Sequence, residues 1–164
     1  MDEVHDFLRA RGAEGIEHPG GTLYAHLVRT AEALEAWGVD RDTVVAGLAH
    51  AVYGTDGFPQ GLATLEERPV VAELLGPTAE AIVYTYAASD RAVTWKAIGD
   101  GEPVPYRDRF TGEERPLAGD ELRTYWTITA ANELDLADAF GEFTGPLLRL
   151  GAHLLPPAGV AALG

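Results

Sequence analysis

Apolar residues recur at helical spacing in the first half of the chain. Leu23, Leu27 and Leu34 are separated by steps of four and seven residues, which is typical of one face of an amphipathic helix. Thr22 stands directly before this stripe and can cap the helix with its hydroxyl. The pattern predicts a helix from Thr22 to about Trp37.

A second apolar stripe begins a few residues later. Asp40 or Asp42 can cap this helix, and the stripe ends at Tyr53-Gly54. The connection between the two helices is short, so we expect an antiparallel helical hairpin. The apolar positions of the second stripe are Val44, Val45, Leu48 and Val52.

Further segments with helical patterns follow the glycine- and proline-rich loop GTDGFPQG. Pro77 suits the first turn of one of them. A Pro-Pro pair near the end of the chain should stop the last helix. With a short N-terminal helix over 2–12, the expected helices are about 66–75, from 77 onward, 119–139 and 143–154.

The pattern changes around residues 89–118, where polar and apolar residues alternate loosely. The run Gly99-Asp100-Gly101 favours a turn, and Pro103 and Pro105 restrict any strand to a sheet edge. We expect a small β-hairpin or an ordered loop there. The sequence therefore predicts one mainly all-α domain over 1–164, a compact helical bundle with this insertion.

Composition narrows the function classes. The formal net charge is −14 and the only lysine is Lys96, which argues against nucleic acid as a partner. The chain has no cysteine, which excludes disulfides and thiolate metal sites and fits a reducing compartment. No apolar stretch approaches the length of a membrane span. We expect a cytoplasmic protein that does not bind a membrane.

Two histidines lie on the predicted hairpin. His26 sits beside the apolar stripe of the first helix, and His50 lies near the C-terminal end of the second. Neighbouring antiparallel helices can bring both imidazoles to one cleft. A lone histidine is more often structural, but this pair predicts a functional site with His26 and His50 as catalytic or metal-binding residues.

Two imidazoles alone do not complete a metal site, so oxygen ligands are needed. Asp135 is the first choice for a third ligand, and Asn132 shares its helical face. The metal would be a divalent transition metal such as iron, manganese or zinc. Without any metal, the histidines can act as acid and base near neutral pH. The alternative ligands are His18, Asp56 and Asn132.

The spacing of these residues resembles the HD-domain superfamily of helical metal-dependent phosphohydrolases and oxygenases. The resemblance implies a helical fold, with His26 and His50 matching the histidines of that motif. The two signature aspartates are replaced by Ala51 and Asn132, which argues against ordinary phosphohydrolase activity. The chain is also similar to an HD-like group in the elements Trp37-Gly38, Ala46–Thr55, Asp108–Gly112 and Ala131–Asp135.

Four residues are candidates for further roles in the same cleft. Arg91 and Arg109 flank the insertion, and either guanidinium could bind a substrate carboxylate or phosphate. Asn132 is a further candidate for substrate binding. The hydroxyl of Tyr53 could donate to developing negative charge. The alternatives are structural: Asp–Arg bridges at the base of the insertion, and burial of Tyr53 at a helix end.

The sequence favours an enzyme that acts on a small molecule in a cleft lined by His26 and His50. The alternative is a non-catalytic HD-like domain that binds a small ligand or a protein partner. A homodimer formed through an exposed apolar helix face is compatible with both functions.

Overall fold

The protein is mainly α-helical and carries two small antiparallel β-hairpins. The computed structural model describes residues 1–140 and 145–164, with the side chains of 138–140 excepted. The helices are α1 (Asp2–Ala10), α2 (Leu23–Ala36), α3 (Arg41–Ala49), α4 (Arg68–Leu75), α5 (Pro77–Ala88), α6 (Arg91–Thr94), α7 (Gly119–Phe140), α8 (Gly145–Leu150) and α9 (Pro157–Ala162). The strands are β1 (Glu17–His18), β2 (Gly21–Thr22), β3 (Val104–Arg107) and β4 (Glu114–Leu117).

The predicted hairpin of α2 and α3 is confirmed, including its caps. The hydroxyl of Thr22 accepts a hydrogen bond from the backbone N–H of Ala25 (3.2 Å). Asp40, rather than Asp42, caps α3 by accepting from the N–H and the hydroxyl of Thr43. Each cap satisfies donors that a helix N-terminus leaves without partners, so the local sequence fixes where both helices begin.

The long helix α7 packs against α2, α3 and α5. Its first half contributes Trp126 and Ile128, both fully buried, to the same apolar cluster as Leu27 and Leu48. Its second half carries the polar residues of the ANELD run along α2. The core therefore fixes α7 in the position that brings Asn132 and Asp135 to the helical hairpin.

The insertion contains the predicted hairpin, and the chain also turns at the predicted Gly99-Asp100-Gly101 run, where the N–H of Asp100 donates to the carbonyl of Ala97. This turn is not the one that joins the two strands. Strands β3 and β4 pair from Val104 with Leu117 to Arg107 with Glu114, so the chain reverses over residues 108–113. Asp108 stabilises this reversal by accepting from the backbone N–H groups of two residues that follow it. The insertion also contains α6, which the sequence pattern did not predict.

Three other boundaries differ from expectation. A single 3-10 turn over Leu65–Glu67 precedes α4, which begins at Arg68. The helix predicted over 143–154 begins at residues outside the described part; what is described is α8 and a 3-10 turn, Ala152–Leu154. The second proline of the terminal pair starts α9 instead of ending the fold, because proline fits a first helical turn.

None of the helices in the described part of the chain is both long enough and apolar enough to cross a lipid bilayer.

Candidate functional site

His26 is buried in the first turn of α2, where it is 1% exposed, and both of its ring nitrogens have partners. Its Nδ1 lies 2.6 Å from the Oδ2 of Asp135. Its Nε2 lies 3.3 Å from the Nε2 of His50 and 3.0 Å from the Oδ1 of Asn132. The structure thus brings four predicted site residues into direct contact.

His50 occupies the C-terminal cap of α3 and is also buried. Its Nδ1 donates a hydrogen bond of 2.7 Å to the carbonyl oxygen of Gly47. Burial, followed by the charge of His26, lowers the pKa of His50 to about 3. The ring is therefore neutral at pH 7, and its Nε2 presents a lone pair to His26.

The contacts around His26 define where protons can lie. Asn132 is oriented by its own Nδ2, which donates to the Oε1 of Glu133 at 2.9 Å, so the amide oxygen faces His26. That oxygen and the Nε2 of His50 can only accept. The Nε2 of His26 is therefore the donor to both, unless a cation takes the place of the proton.

Asp135 acts on His26 from the far side of the ring. It also accepts two hydrogen bonds from the guanidinium of Arg29, at 2.6 and 3.0 Å. Burial opposes the ionised form, but the hydrogen bonds from His26 and Arg29 dominate and lower the pKa of Asp135 to about 2. Both ring nitrogens of His26 thus face acceptors, the Asp135 carboxylate at Nδ1 and the side chains of His50 and Asn132 at Nε2.

A cavity of about 230 Å³ borders this cluster. His50 and Asn132 line it, as do Thr55 and Arg91, whereas His26 lies behind them. Of the two histidines predicted to line one cleft, His50 lines this cavity and His26 does not; His26 only contacts His50 from behind. A ligand in the cavity would meet one end of the histidine pair.

Arg91 begins α6 and is largely buried against the cavity. Its guanidinium lies over the ring of Trp95, with Cζ 4.7 Å from the ring centroid, and its Nη2 lies 3.4 Å from the hydroxyl of Tyr86. Its Nη1 is 3.5 Å from the Oε1 of Glu133. The guanidinium is held by stacking and by contacts at long hydrogen-bonding distance.

The first hairpin adds His18 to the cavity wall. The β1–β2 pairing positions its ring in a stack on His26, with the ring centroids 4.2 Å apart. The buried Nδ1 of His18 makes no hydrogen bond. Burial and the charge of His26 lower the pKa of His18 to about 4, so this imidazole is neutral at pH 7.

Three predicted site residues lie neither in the cavity lining nor in the group that contacts His26. The hydroxyl of Tyr53 donates to Glu80 at 2.9 Å, and Glu80 is in turn bound by Arg68. Arg109 donates to the carbonyl oxygen of Ala87, which ties the insertion to the end of α5. Asp56 accepts from the backbone N–H of Arg91, so it positions α6.

Neither Arg29 nor Glu133 is among the site residues predicted from the sequence. Arg29 stands three residues after His26, which is the spacing of neighbours on one helix face, and this was a readable signal. Glu133 contacts both Asn132 and Arg91, across two elements that only the tertiary fold brings together. No local pattern indicated that contact.

The residues fit a metal ion only in part. His26, His50 and Asn132 offer two imidazoles and an amide oxygen, and Asp135 is a partner of His26 rather than a ligand at the same point. Within 1–140 and 145–164, no group of three or more histidine or carboxylate side chains is arranged to hold a metal. A divalent ion here would have three neutral ligands, which disfavours tight binding.

One of three comparisons with known proteins assigns a family, and it names no activity. No curated protein and no solved structure matches the chain. One family model, described as a domain of unknown function (DUF6817), matches residues 7–91, slightly more than half of the sequence. The matched segment includes His18, His26, His50 and Arg91. The chain belongs to the DUF6817 family.

Proposed function

We propose that the protein is an enzyme that transfers a proton to or from a small molecule bound beside His50, with His26 as the second member of the pair. One observation carries the proposal: the Nε2 atoms of the two rings lie 3.3 Å apart. Because His50 donates its own ring proton to Gly47, the hydrogen bond between the two rings contains a single proton. A buried hydrogen bond between two imidazoles places a mobile proton at the cavity wall.

Each residue has a role in this chemistry. His50 is neutral and can exchange a proton only at Nε2, because its Nδ1 keeps its proton on the Gly47 carbonyl. A ligand that reaches Nε2 from the cavity gives its proton to that lone pair, in place of the hydrogen bond from His26. Asp135 stabilises the imidazolium form of His26, and its ion pair with Arg29 keeps it ionised. Asn132 accepts from His26 and so holds the ring in its orientation. These contacts keep the donor and the acceptor aligned before any ligand binds.

We infer that the site is a degenerate form of the HD-domain arrangement. The placement of His26 on α2, His50 at the end of α3 and Asn132 on α7 supports this interpretation. Because Ala51 and Asn132 replace the two signature carboxylates, the proposed reaction is proton transfer and not ordinary phosphohydrolysis. The acidic net charge argues against nucleic acid and so favours a small-molecule substrate. The lack of cysteine fits a reducing compartment such as the cytoplasm.

Metal-assisted chemistry is the second candidate function, and the distance between the Nε2 atoms of His26 and His50 favours it. Two imidazole nitrogens bound to one tetrahedral zinc at 2.0–2.1 Å lie about 3.3–3.4 Å apart. The observed Nε2 separation of 3.3 Å matches that value. Iron, manganese or zinc would then be held by His26, His50 and Asn132, with Asp135 orienting the first ring through its Nδ1.

The proton-transfer proposal is tested by proton NMR in D₂O. The protein is incubated with a mixed panel of carboxylic acids, phosphate monoesters, amines and sugars, and both conversion and deuterium exchange are followed. The wild type should change at least one compound, and His26→Gln and His50→Gln should not. His153→Gln is the matched control, because His153 is exposed in a 3-10 turn outside the cavity.

Circular dichroism melting shows whether each variant is folded, and Asp135→Asn serves as a further variant that slows the reaction. Activity that survives both histidine substitutions would contradict the proposal. A wild type that changes no compound favours the non-catalytic alternative, a helical domain that binds a ligand. Elemental analysis of protein purified without chelator tests metal-assisted chemistry. A stoichiometric transition metal that is lost in both histidine variants supports this function, and a substoichiometric amount rejects it.

A further inference from the structure

The cavity also indicates what kind of molecule it binds. We infer that the ligand is a compact, apolar monocarboxylic acid whose carboxylate is bound by Arg91. The inference rests on the proposed function, since it concerns the cavity beside His50, and it names the substrate class of that site. Its support comes from the guanidinium and the cavity wall and not from the histidine pair.

The guanidinium of Arg91 can donate hydrogen bonds to a ligand in the cavity. It carries five N–H bonds in a planar fork that matches a carboxylate. Its contacts with the Tyr86 hydroxyl and with Glu133, at 3.4 and 3.5 Å, are longer than the 2.7–2.9 Å typical of charge-assisted hydrogen bonds. A ligand carboxylate at normal distance would therefore gain stronger hydrogen bonds than those Arg91 now makes.

The surrounding residues fix Arg91 at the cavity. Asp56 accepts from its backbone N–H at 3.0 Å, and Trp95 lies under the guanidinium plane. Gly57 gives the side chain its room, because a Cβ atom at that position would lie 2.9 Å from Nη1 of Arg91. The guanidinium is thus positioned before a ligand arrives, which lowers the entropic cost of binding.

The rest of the wall is suited to an apolar body with one negative charge. Pro19, Ala51, Phe58 and Leu136 supply apolar surface. Among the described residues that line the cavity, Arg91 is the one arginine or lysine. A phosphate dianion would need further cations or N–H donors, whereas a carboxylate is matched by one guanidinium. The volume of about 230 Å³ lies below the usual range for ligand pockets, so the ligand is small.

Isothermal titration calorimetry with three related probes tests the ligand class. Benzoate carries one negative charge, benzamide is its neutral counterpart, and phenyl phosphate carries a larger negative charge on a similar ring. We expect benzoate to bind about ten- to a hundredfold more tightly than benzamide, as for a charge-assisted hydrogen bond. Equal affinity for benzoate and benzamide would overturn the inference. Tighter binding of phenyl phosphate than of benzoate would also overturn it.

Substitutions then locate the binding site. Arg91→Gln should weaken benzoate binding about ten- to a hundredfold, and Arg109→Gln, whose guanidinium binds the Ala87 carbonyl, should leave it unchanged. Gly57→Ala should weaken binding by displacing Nη1. The matched control is Gly15→Ala, because a Cβ there meets no atom within 4 Å. Unchanged benzoate affinity in both Arg91→Gln and Gly57→Ala overturns the inference.

Removal of Arg91 leaves the buried Glu133 carboxylate without this cation, which can destabilise the fold. The double variant Arg91→Gln/Glu133→Gln avoids that and should show the same loss of benzoate affinity. His50→Gln separates the two proposals: it should abolish turnover and keep benzoate binding within a few-fold. If compounds other than carboxylates are turned over while benzoate does not bind, the ligand class fails and the proton-transfer function stands. If benzoate binds through Arg91 and nothing is turned over, the ligand class stands and the proton-transfer function fails.

Discussion

Asp135 accepts a hydrogen bond of 2.6 Å from the Nδ1 of His26, although the two residues are 109 positions apart in the chain. The contact joins α2 to α7 at the point where α7 carries its polar run. The carboxylate is 12% exposed in its side chain and binds Arg29 through both oxygens. Asp135 thus contributes both to the packing of α7 on α2 and to the hydrogen bonding of His26.

Asp135→Asn should lower the free energy of unfolding by about 2 kcal/mol, the range for hydrogen bonds to charged groups. The amide keeps the size of the side chain but removes the negative charge that strengthens the hydrogen bonds from His26 and Arg29. Urea denaturation at pH 7 measures the loss. The control is Asp6→Asn, whose carboxylate forms an exposed pair with Arg9 and should show no measurable change. Equal stability of both variants would contradict the prediction.

Tyr53→Phe should lower stability by about 1 kcal/mol and leave the cavity unaffected. The lost hydroxyl is a donor to Glu80, which keeps its two hydrogen bonds from Arg68. Urea denaturation gives the stability, and calorimetry with benzoate gives the affinity of the cavity. A strong loss of turnover in the NMR assay without a change in melting temperature would instead give this hydroxyl the catalytic role that the sequence suggested.

The helical part of the fold could be predicted because its signals are local. The stripe of Leu23, Leu27 and Leu34, with Thr22 in front of it, defines α2 by spacing and by a cap that acts over three residues. The insertion could not be predicted as well. Its turn depends on Asp108 accepting from the backbone N–H groups of Phe110 and Thr111, whereas the glycines at 99 and 101 offered an equally good turn signal.

The candidate site was predictable to the extent that it follows from two neighbouring helices. The proximity of His26 and His50 follows from a short connection and an antiparallel hairpin. The sequence did not show which of Arg91 and Arg109 lies at the cavity, because both flank the same insertion. Their separation depends on how α6 and the β3–β4 hairpin pack, with Arg91 at the cavity and Arg109 at the Ala87 carbonyl.

Gly47→Ala should destabilise the protein by about 1–3 kcal/mol, although alanine is the better helix former. A Cβ atom at this position would clash with the Cδ1 of Leu34 on α2, so overpacking outweighs helix propensity. Urea denaturation measures the loss. The double variant Gly47→Ala/Leu34→Ala should be less destabilised than the sum of the two single changes. Simple additivity would show that this contact does not set the helix spacing.

Two neutral histidines make the stability of the site dependent on pH. Burial and the charge of His26 lower the pKa of His18 to about 4 and that of His50 to about 3, from an ordinary value of 6.5. In the unfolded chain both rings bind protons as the pH falls below 6.5. The charged and titratable groups that face the two rings in the fold are His26, Arg29, Arg91 and Asp135.

The free energy of unfolding should therefore fall as the pH falls from about 6.5 towards 4. In that window the unfolded chain binds more protons than the folded protein, and linkage makes stability decrease with decreasing pH. Urea denaturation of chelator-treated protein between pH 8 and pH 5 measures the slope. His18→Gln should flatten it, because one of the two neutral rings is removed, and the exposed His153→Gln should leave it unchanged. A wild-type stability that stays constant from pH 6.5 to pH 5 would mean that the two rings take up protons in the folded state as readily as in the unfolded chain.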